Sequence, residues 1–228
     1  LGTFTAEVER PEAPDKLVLS KARLALSGAS QHDCGLASEG SFGPHPYVPW
    51  LPFHEEFLAL VDGERNLSWV EVERTTETVF RHANVQTWEL AEVFASQVGF
   101  PHQGLILRGT GELVKGIRDW ATLKAHFSPG CRLETDMRAQ HCPTRRTVIE
   151  RVAKKLAARL QTACPACKAG GFGVVDQLYG LRCELCRQPT ELVDKLIYGC
   201  SACHFQQVCP RPDGRLWAEP KDCCHCNP

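Results

Sequence analysis

The sequence predicts an α/β protein in two parts: a domain with a mixed sheet over residues 1–162, then a small, cysteine-rich, ribbon-like module over 163–228. Two observations predict it. Short apolar runs alternate with segments of helical period through the first part, the pattern of a sheet layered with helices. The second part carries four Cys-x-x-Cys turns, Cys164/Cys167, Cys183/Cys186, Cys200/Cys203 and Cys223/Cys226, and few large apolar side chains.

The elements follow in order. The chain opens at Leu1 straight into Gly2-Thr3-Phe4-Thr5 without a cap. The domain is therefore expected to lack a first strand and the loop after it, a kind of loop that often holds phosphate. Residues 1–12 read as polar and extended. Pro14 suits a first helical turn, and Asp15 to Ser27 puts Val18, Ala22, Ala25 and Leu26 on one face, with Gly28 as the stop. From Cys34 a short apolar strand is expected to dissolve into a Gly/Pro loop by Pro46. That leaves Glu39, Ser41 and His45 just past a strand end, where ligands sit in open α/β sheets. Phe57 to Val61 is an apolar strand, Asp62-Gly63 its turn, and Leu67 to Val72 its hairpin partner. Thr75 to Thr78 is polar.

Thr87 caps a helix whose expected core face is Leu90, Val93, Phe94 and Val98, closed by Gly99 and Pro101. Gly104 to Leu107 is a buried strand. Asp119 is the N-cap for a helix from Trp120 to Phe127. Arg132 to Asp136 is a strand ending in carboxylates, and 137–145 a polar loop. Pro143-Thr144 starts the longest helix, with Val148, Val152, Leu156 and Leu160 along one stripe and six cations on its other faces.

Of the 228 residues 43% are hydrophobic and 23% charged, so most of the chain folds, and a net charge of -1 gives no global pull toward nucleic acid or anionic membrane. Eight of the 13 cysteines lie in the paired turns. The paired spacing favours metal over disulfides and points to a reducing cytoplasm. No run is long and apolar enough to span a bilayer.

A Cys-x-x-Cys turn aims two thiolates at one point, half of a tetrahedral zinc site. Cys164, Cys167, Cys183, Cys186, Cys200, Cys203, Cys223 and Cys226 thus make two closed four-cysteine sites for two structural Zn²⁺ ions. The metal contributes folding energy to a segment with little apolar core. Three pairings of the turns are open. The stretch from Cys183 to Cys203 resembles a zinc ribbon by itself and favours nesting. Loop-closure entropy weakly favours joining neighbours.

Polar clusters recur after strands: Glu39/Ser41/His45, Lys115/Arg118/Asp119 and Glu134/Asp136/Arg138/His141/Arg145. Brought together, they place carboxylates beside cations. Carboxylates hold Mg²⁺ or Mn²⁺ together with substrate phosphates, and Lys and Arg clamp phosphate oxygens. That set suits hydrolysis of a phosphoric anhydride. Each piece also has a plainer reading. Glu39 can bond neighbouring N–H groups, His45 between prolines is structural, Lys115 and Arg118 belong to a solvated surface, and Asp119 is a cap. Asp136 with Arg138 and Arg145 is the favoured cluster, since polar groups at a strand end beside a helix N-terminus suit an anion. Cys142 beside His141 is a poor nucleophile pair, because adjacent side chains diverge.

Gly2-Thr-Phe-Thr5, Ala37-Ser-Glu-Gly-Ser-Phe-Gly-Pro-His-Pro46, Glu134-Thr-Asp-Met-Arg138, Pro143-Thr-Arg145 and the terminal Cys226-Asn-Pro228 carry a resemblance. With them the chain resembles a bacterial family labelled only as a domain of unknown function. That family carries Asn at the position of Cys142 and His at that of Gln140, and begins with an extra strand. More distantly, Thr-Phe-Thr, then Ser20-Lys-Ala22, then a strand into Ser38-Glu-Gly-Ser41, is similar to the inosine-triphosphate pyrophosphatase-like superfamily. That resemblance implies that Glu39 holds a divalent metal, Lys21 meets phosphate, and Arg145 meets base or phosphate.

The leading expectation is a zinc-binding protein whose α/β domain is a divalent-metal-dependent nucleotide or phosphoanhydride hydrolase. Glu39, Asp136 and Arg145 are its catalytic candidates, and Lys21, Ser41, Lys115 and Arg138 its ligand-binding ones. The alternatives are an adaptor whose zinc module binds nucleic acid or protein, and a small-ligand binder without turnover. Convergence of Glu39, Asp136 and Arg145 in one pocket separates the first and third from the second.

Overall fold

A computed structural model of the chain describes residues 12–27, 33–109 and 111–227. The expectations for residues 1–11 and for Gly28 fall outside them. The chain divides into two compact units, Leu1–Lys155 and Leu156–Pro228.

In the first unit, helix α1 (Pro14–Ser27) precedes a meander of three strands, β1 (Cys34–Pro44), β2 (Pro52–Asp62) and β3 (Leu67–Thr75). Both faces of this sheet are covered. On one, Val18 and Ala22 of α1 pack against Phe57, Ala59 and Val61. On the other lies helix α4 (Pro143–Gln161), whose Arg145 bonds Glu56 and whose Arg151 and Lys155 pair with Glu73. Two covered faces explain why Phe57 to Val61 is continuously apolar where a half-exposed strand would alternate.

A second, four-stranded sheet runs in the order β4 (His82–Val85), β7 (Cys131–Thr135), β5 (Leu105–Arg108), β6 (Leu113–Ile117). Helices α2 (Trp88–Gln97) and α3 (Trp120–His126) complete its core around Phe94, Leu105, Leu107, Leu123 and Leu133. The caps lie where the sequence puts them: Thr87 accepts from the Leu90 N–H at 3.4 Å and Asp119 from the Thr122 N–H at 2.7 Å.

Three expectations are corrected. Among the described residues the sheet is not mixed: they form two sheets in the first unit, and every ladder between named strands is antiparallel. Hairpins join β1–β2–β3 and β5–β6, and β7 inserts between β4 and β5, so no parallel crossover is needed. The stretch from Glu39 to Pro44 is not a loop. It stays paired with β2 to Pro44↔Pro52, so Glu39 and Ser41 lie within a strand and only His45 lies past its end. Helix α2 turns Ala91, Phe94, Ala95 and Val98 inward and leaves Leu90 and Val93 half exposed. Small alanines let the helix approach the sheet closely, a signal that the larger side chains mask.

The second unit holds a three-stranded antiparallel sheet, ordered β10 (Gln206–Pro210), β9 (Val193–Gly199), β8 (Gly173–Tyr179), with a short 3₁₀ turn at Pro220–Asp222. Among the described residues no helix is long and apolar enough to cross a membrane.

Candidate functional site

The cysteine turns share a local design. In the first three, the N–H four residues past the first cysteine returns to that cysteine's carbonyl: Lys168 to Cys164, Arg187 to Cys183 and His204 to Cys200, each at 3.0 Å. The donor residues have φ of 65°, 64° and 60°, a left-handed conformation that folds each turn back on itself. Asn227 returns to Cys223 in the same way at 2.9 Å.

These turns gather in two groups, Cys164/Cys167/Cys200/Cys203 and Cys183/Cys186/Cys223/Cys226, with the four sulfurs of each within 4.8 Å of one another. Cross-turn Sγ–Sγ distances are 3.8, 3.7, 3.8 and 3.5 Å. A tetrahedron with metal–sulfur arms of about 2.3 Å has edges of about 3.8 Å, whereas a disulfide needs about 2.05 Å. Each group is thus a four-thiolate cage able to hold a metal ion. Burial pushes the Cys164 thiol up, but the N–H groups of Cys167 and Ala166 outweigh it and bring it down to about 7. Cys183 is brought to about 7, first by the Cys186 N–H. The Cys186 thiol and the neighbouring sulfurs push Cys226 up to about 12, the mark of crowded sulfurs that a dication would neutralise.

The pairing is neither sequential nor nested: first turn joins third, and second joins fourth. The sheet dictates it. Gly173, Gly199 and Gln206 lie side by side, so the turn before β8 and the turn between β9 and β10 share one end of the sheet. The turn between β8 and β9 is at the other end, where a bridge from Cys183 to Ala218 brings back the final turn.

In the first unit, the pleat separates the candidates. Glu39 points toward α1 and pairs with Lys21. Ser41 shares that face by its two-residue spacing. The next residue, Gly40, faces the opposite way, and a Cβ there would lie 2.9 Å from the Arg145 guanidinium. Glu39 and Arg145 are therefore on opposite faces of the first sheet and do not meet. Arg145 instead binds Glu56 twice, at 2.8 and 2.9 Å, and the Met137 carbonyl at 2.8 Å. His54 Nε2 completes the group 2.9 Å from Glu56, and its ring stacks on Phe42 with centroids 4.2 Å apart. Glu56 is 0% exposed. Burial pushes its carboxyl up, but the bonds from His54 and Arg145 together hold it below the usual range. Gly40→Ala is expected to force this cluster apart and to lower stability by about 1–3 kcal/mol, read from urea unfolding.

Asp136, fully buried, lies just past the end of β7. Its carboxylate takes a short bidentate grip from Arg138 (2.5 Å at the nearest), the Arg138 N–H at 3.1 Å and the Gly116 N–H at 3.1 Å. Gly116 has φ +73°, and a Cβ there would sit 3.0 Å from the His141 ring. His141 Nδ1 is buried without a hydrogen-bond partner among the described residues. Burial, with Arg138 and Arg118 nearby, holds this imidazole below its ordinary value against the pull of Asp136. Asp136, Arg138, His141 and Arg118 thus converge, with Arg145 next to them through Met137. Lys115 sits one residue from Gly116 in β6, opposite Ile106.

Cys142 caps α4, its Sγ accepting from the Arg145 N–H at 3.4 Å, and burial pushes the thiol up. It is a cap, not a nucleophile, and an Asn at such a position does the same job. Sequence reasoning missed Glu56 and His54. The available signal was their two-residue spacing in a strand, which puts an acid and an imidazole on one buried face.

Residues 21–228 match the family model described as Domain of unknown function (DUF6671), and the chain belongs to that family. Neither the curated proteins nor the solved structures give a match.

Proposed function

We propose that this is a zinc protein, with one Zn²⁺ in each four-cysteine cage acting structurally in a zinc-ribbon-like module. The observation that carries this is the tetrahedral spacing of the eight sulfurs. A closed cage of four thiolates suits zinc and leaves no position for substrate. Elemental analysis of the chain, purified without added metal, is expected to give about two zinc ions per molecule. A count of one or none, or iron in their place, would refute the assignment. Thirteen cysteines outside any disulfide fit a reducing compartment, and we place the protein in the cytoplasm.

The first unit supports a second reading, a nucleotide or phosphoanhydride hydrolase working with Mg²⁺ or Mn²⁺. The supporting observation is the convergence around Asp136. In this reading a cation takes the Asp136 carboxylate from Arg138, and the released guanidinium grips phosphate oxygens. His141, its imidazole held below its ordinary value, is the group that would accept a proton from water. Arg145, fully engaged, positions the loop from behind. Lys21, Glu39 and Ser41 lie on the far face of the first sheet, outside this cleft, and Lys115 flanks it.

A panel of nucleoside triphosphates with either cation tests this reading. Turnover that falls at least about 100-fold in Asp136→Asn and in Arg138→Gln, and persists in Glu39→Gln, is the expected result. Absence of phosphate and pyrophosphate release with every nucleotide would leave the adaptor reading, in which the zinc module binds nucleic acid or protein.

A further inference from the structure

A groove of about 370 Å³ opens beside the β1–β2 turn, lined by Trp50, Leu51, Phe80, Arg81 and His82 and walled by prolines. It lies outside both the zinc cages and the Asp136 cleft. Its volume falls in the range of small-ligand sites.

The turn that presents Trp50 is built, not loose. His45 N–H donates to the Leu51 carbonyl at 2.8 Å, Leu51 N–H to Val48 at 2.9 Å, and Tyr47 N–H to His45 Nδ1 at 3.2 Å. The His45 ring anchors it edge-on against Phe53 at 4.9 Å. Held this way, Trp50 is 86% exposed. A preformed turn that keeps a large aromatic plate in water fits a surface awaiting a flat partner. Phe80 is held in place by Phe42, with centroids 5.9 Å apart.

A guanidinium and an imidazole complete the groove. The Arg81 backbone is tied to Thr135 in both directions, at 3.0 and 3.1 Å. Its guanidinium and the imidazole of His82 make no hydrogen bond or ion pair among the described residues. The combination is an aromatic plate beside an uncommitted donor fork suited to a phosphate.

We propose that this groove binds a mononucleotide, its base against Trp50 and Phe80 and its phosphate on Arg81 and His82. A single nucleotide fits better than a strand, which needs a continuous cationic track, and the chain's net charge is -1. The site stands without turnover at Asp136, so its test is binding alone.

The experiment is calorimetric titration of the full zinc-loaded chain, without added Mg²⁺, using AMP, CMP, adenosine and inorganic phosphate. Both nucleotides are expected to saturate with Kd below about 1 mM, with adenosine and phosphate at least about 10-fold weaker. Trp50→Ala and Arg81→Gln, both exposed positions, should each weaken AMP about 10-fold while leaving the circular dichroism spectrum unchanged. The proposal is overturned by an absence of saturation up to about 10 mM nucleotide, by affinities unchanged in both variants, or by saturation with a proline-rich peptide in place of nucleotides. Binding here together with no turnover in the triphosphate panel would uphold this site and sink the hydrolase reading.

Discussion

Stripping metal with a strong chelator is expected to unfold residues 156–228 while residues 12–155 keep their structure. The reason lies in what the second unit buries. Its only large aliphatic side chains below 9% exposure, among the described residues, are Leu156 and Leu181; the other buried apolar groups are four cysteines and Ala218. Two leucines contribute roughly 4 kcal/mol, less than the conformational entropy of so many ordered residues. Structural zinc in small finger peptides contributes about 10–16 kcal/mol per site, so an ion in each proposed cage would decide whether this unit folds.

The interleaved pairing sharpens the expectation. The cage closed by Cys164 and Cys203 overlaps in sequence the one closed by Cys183 and Cys226. Opening one frees part of the loop that closes the other. Cys200→Ser should therefore lose one zinc outright and weaken the second, whereas Cys224→Ser, at an exposed cysteine outside both cages, should keep both. Acid works in the same direction. Protons compete with the metal for the cage thiolates, so metal release should progress as pH falls. Hydrogen exchange checks the whole argument: protection in β8, β9 and β10 should vanish on chelation while β2, β5 and β7 stay protected. Retained protection in all six strands would show that apolar packing, not metal, holds the module.

The cysteine cages were legible because a Cys-x-x-Cys turn is a local device, complete within four residues. Which turns pair was a matter of sheet topology, and loop length carries only a weak bias. The missing step was to count strands. An antiparallel meander returns every second turn to the same end, which joins Cys164 with Cys200, and the bridge from Cys183 to Ala218 brings Cys223 back to Cys183.

In the first unit, periodicity and caps found the helices and most strands. The Gly/Pro content led Gly40 to Pro44 to be misread as a loop. Gly40 is there because the Arg145 guanidinium presses on the strand, and such a demand is set by a residue more than a hundred positions away. The same misreading put Glu39 at a strand end. Within a strand, neighbours face opposite ways, and one residue of offset decides which side of the sheet a carboxylate serves. Asp136 and Arg138 were found because they are close in sequence. Their neighbours Gly116 and Arg118 come from a different strand and its following residue.

Arg145→Met is expected to destabilise the first unit by roughly 3–5 kcal/mol, because it strands a fully buried carboxylate. Glu56 would keep only His54, and both are almost wholly out of water. Glu56→Gln should cost a similar amount by leaving the guanidinium without its anion, and the double variant should recover much of the loss, since removing both charges removes the desolvation penalty. Urea unfolding followed through β2 amides measures all three; single costs near zero that simply add would show that the pair is not coupled. The pH dependence has a definite sign. The Glu56 carboxyl is held below its ordinary value in the fold, so its contribution is present above the unfolded value of 4.5 and fades as pH drops through the lower folded one. A buried pair of this kind is weak as a source of stability and better suited to fixing geometry. Arg145 also holds the Met137 carbonyl, and thereby the loop that carries Asp136, Arg138 and His141. Arg145→Met should therefore release that loop, and the His141 imidazole, no longer shielded from water, should titrate closer to its ordinary value by NMR. If the His141 titration is unchanged while stability falls, the ion pair serves the sheet alone and the cleft is held by Asp136 and Arg138 themselves.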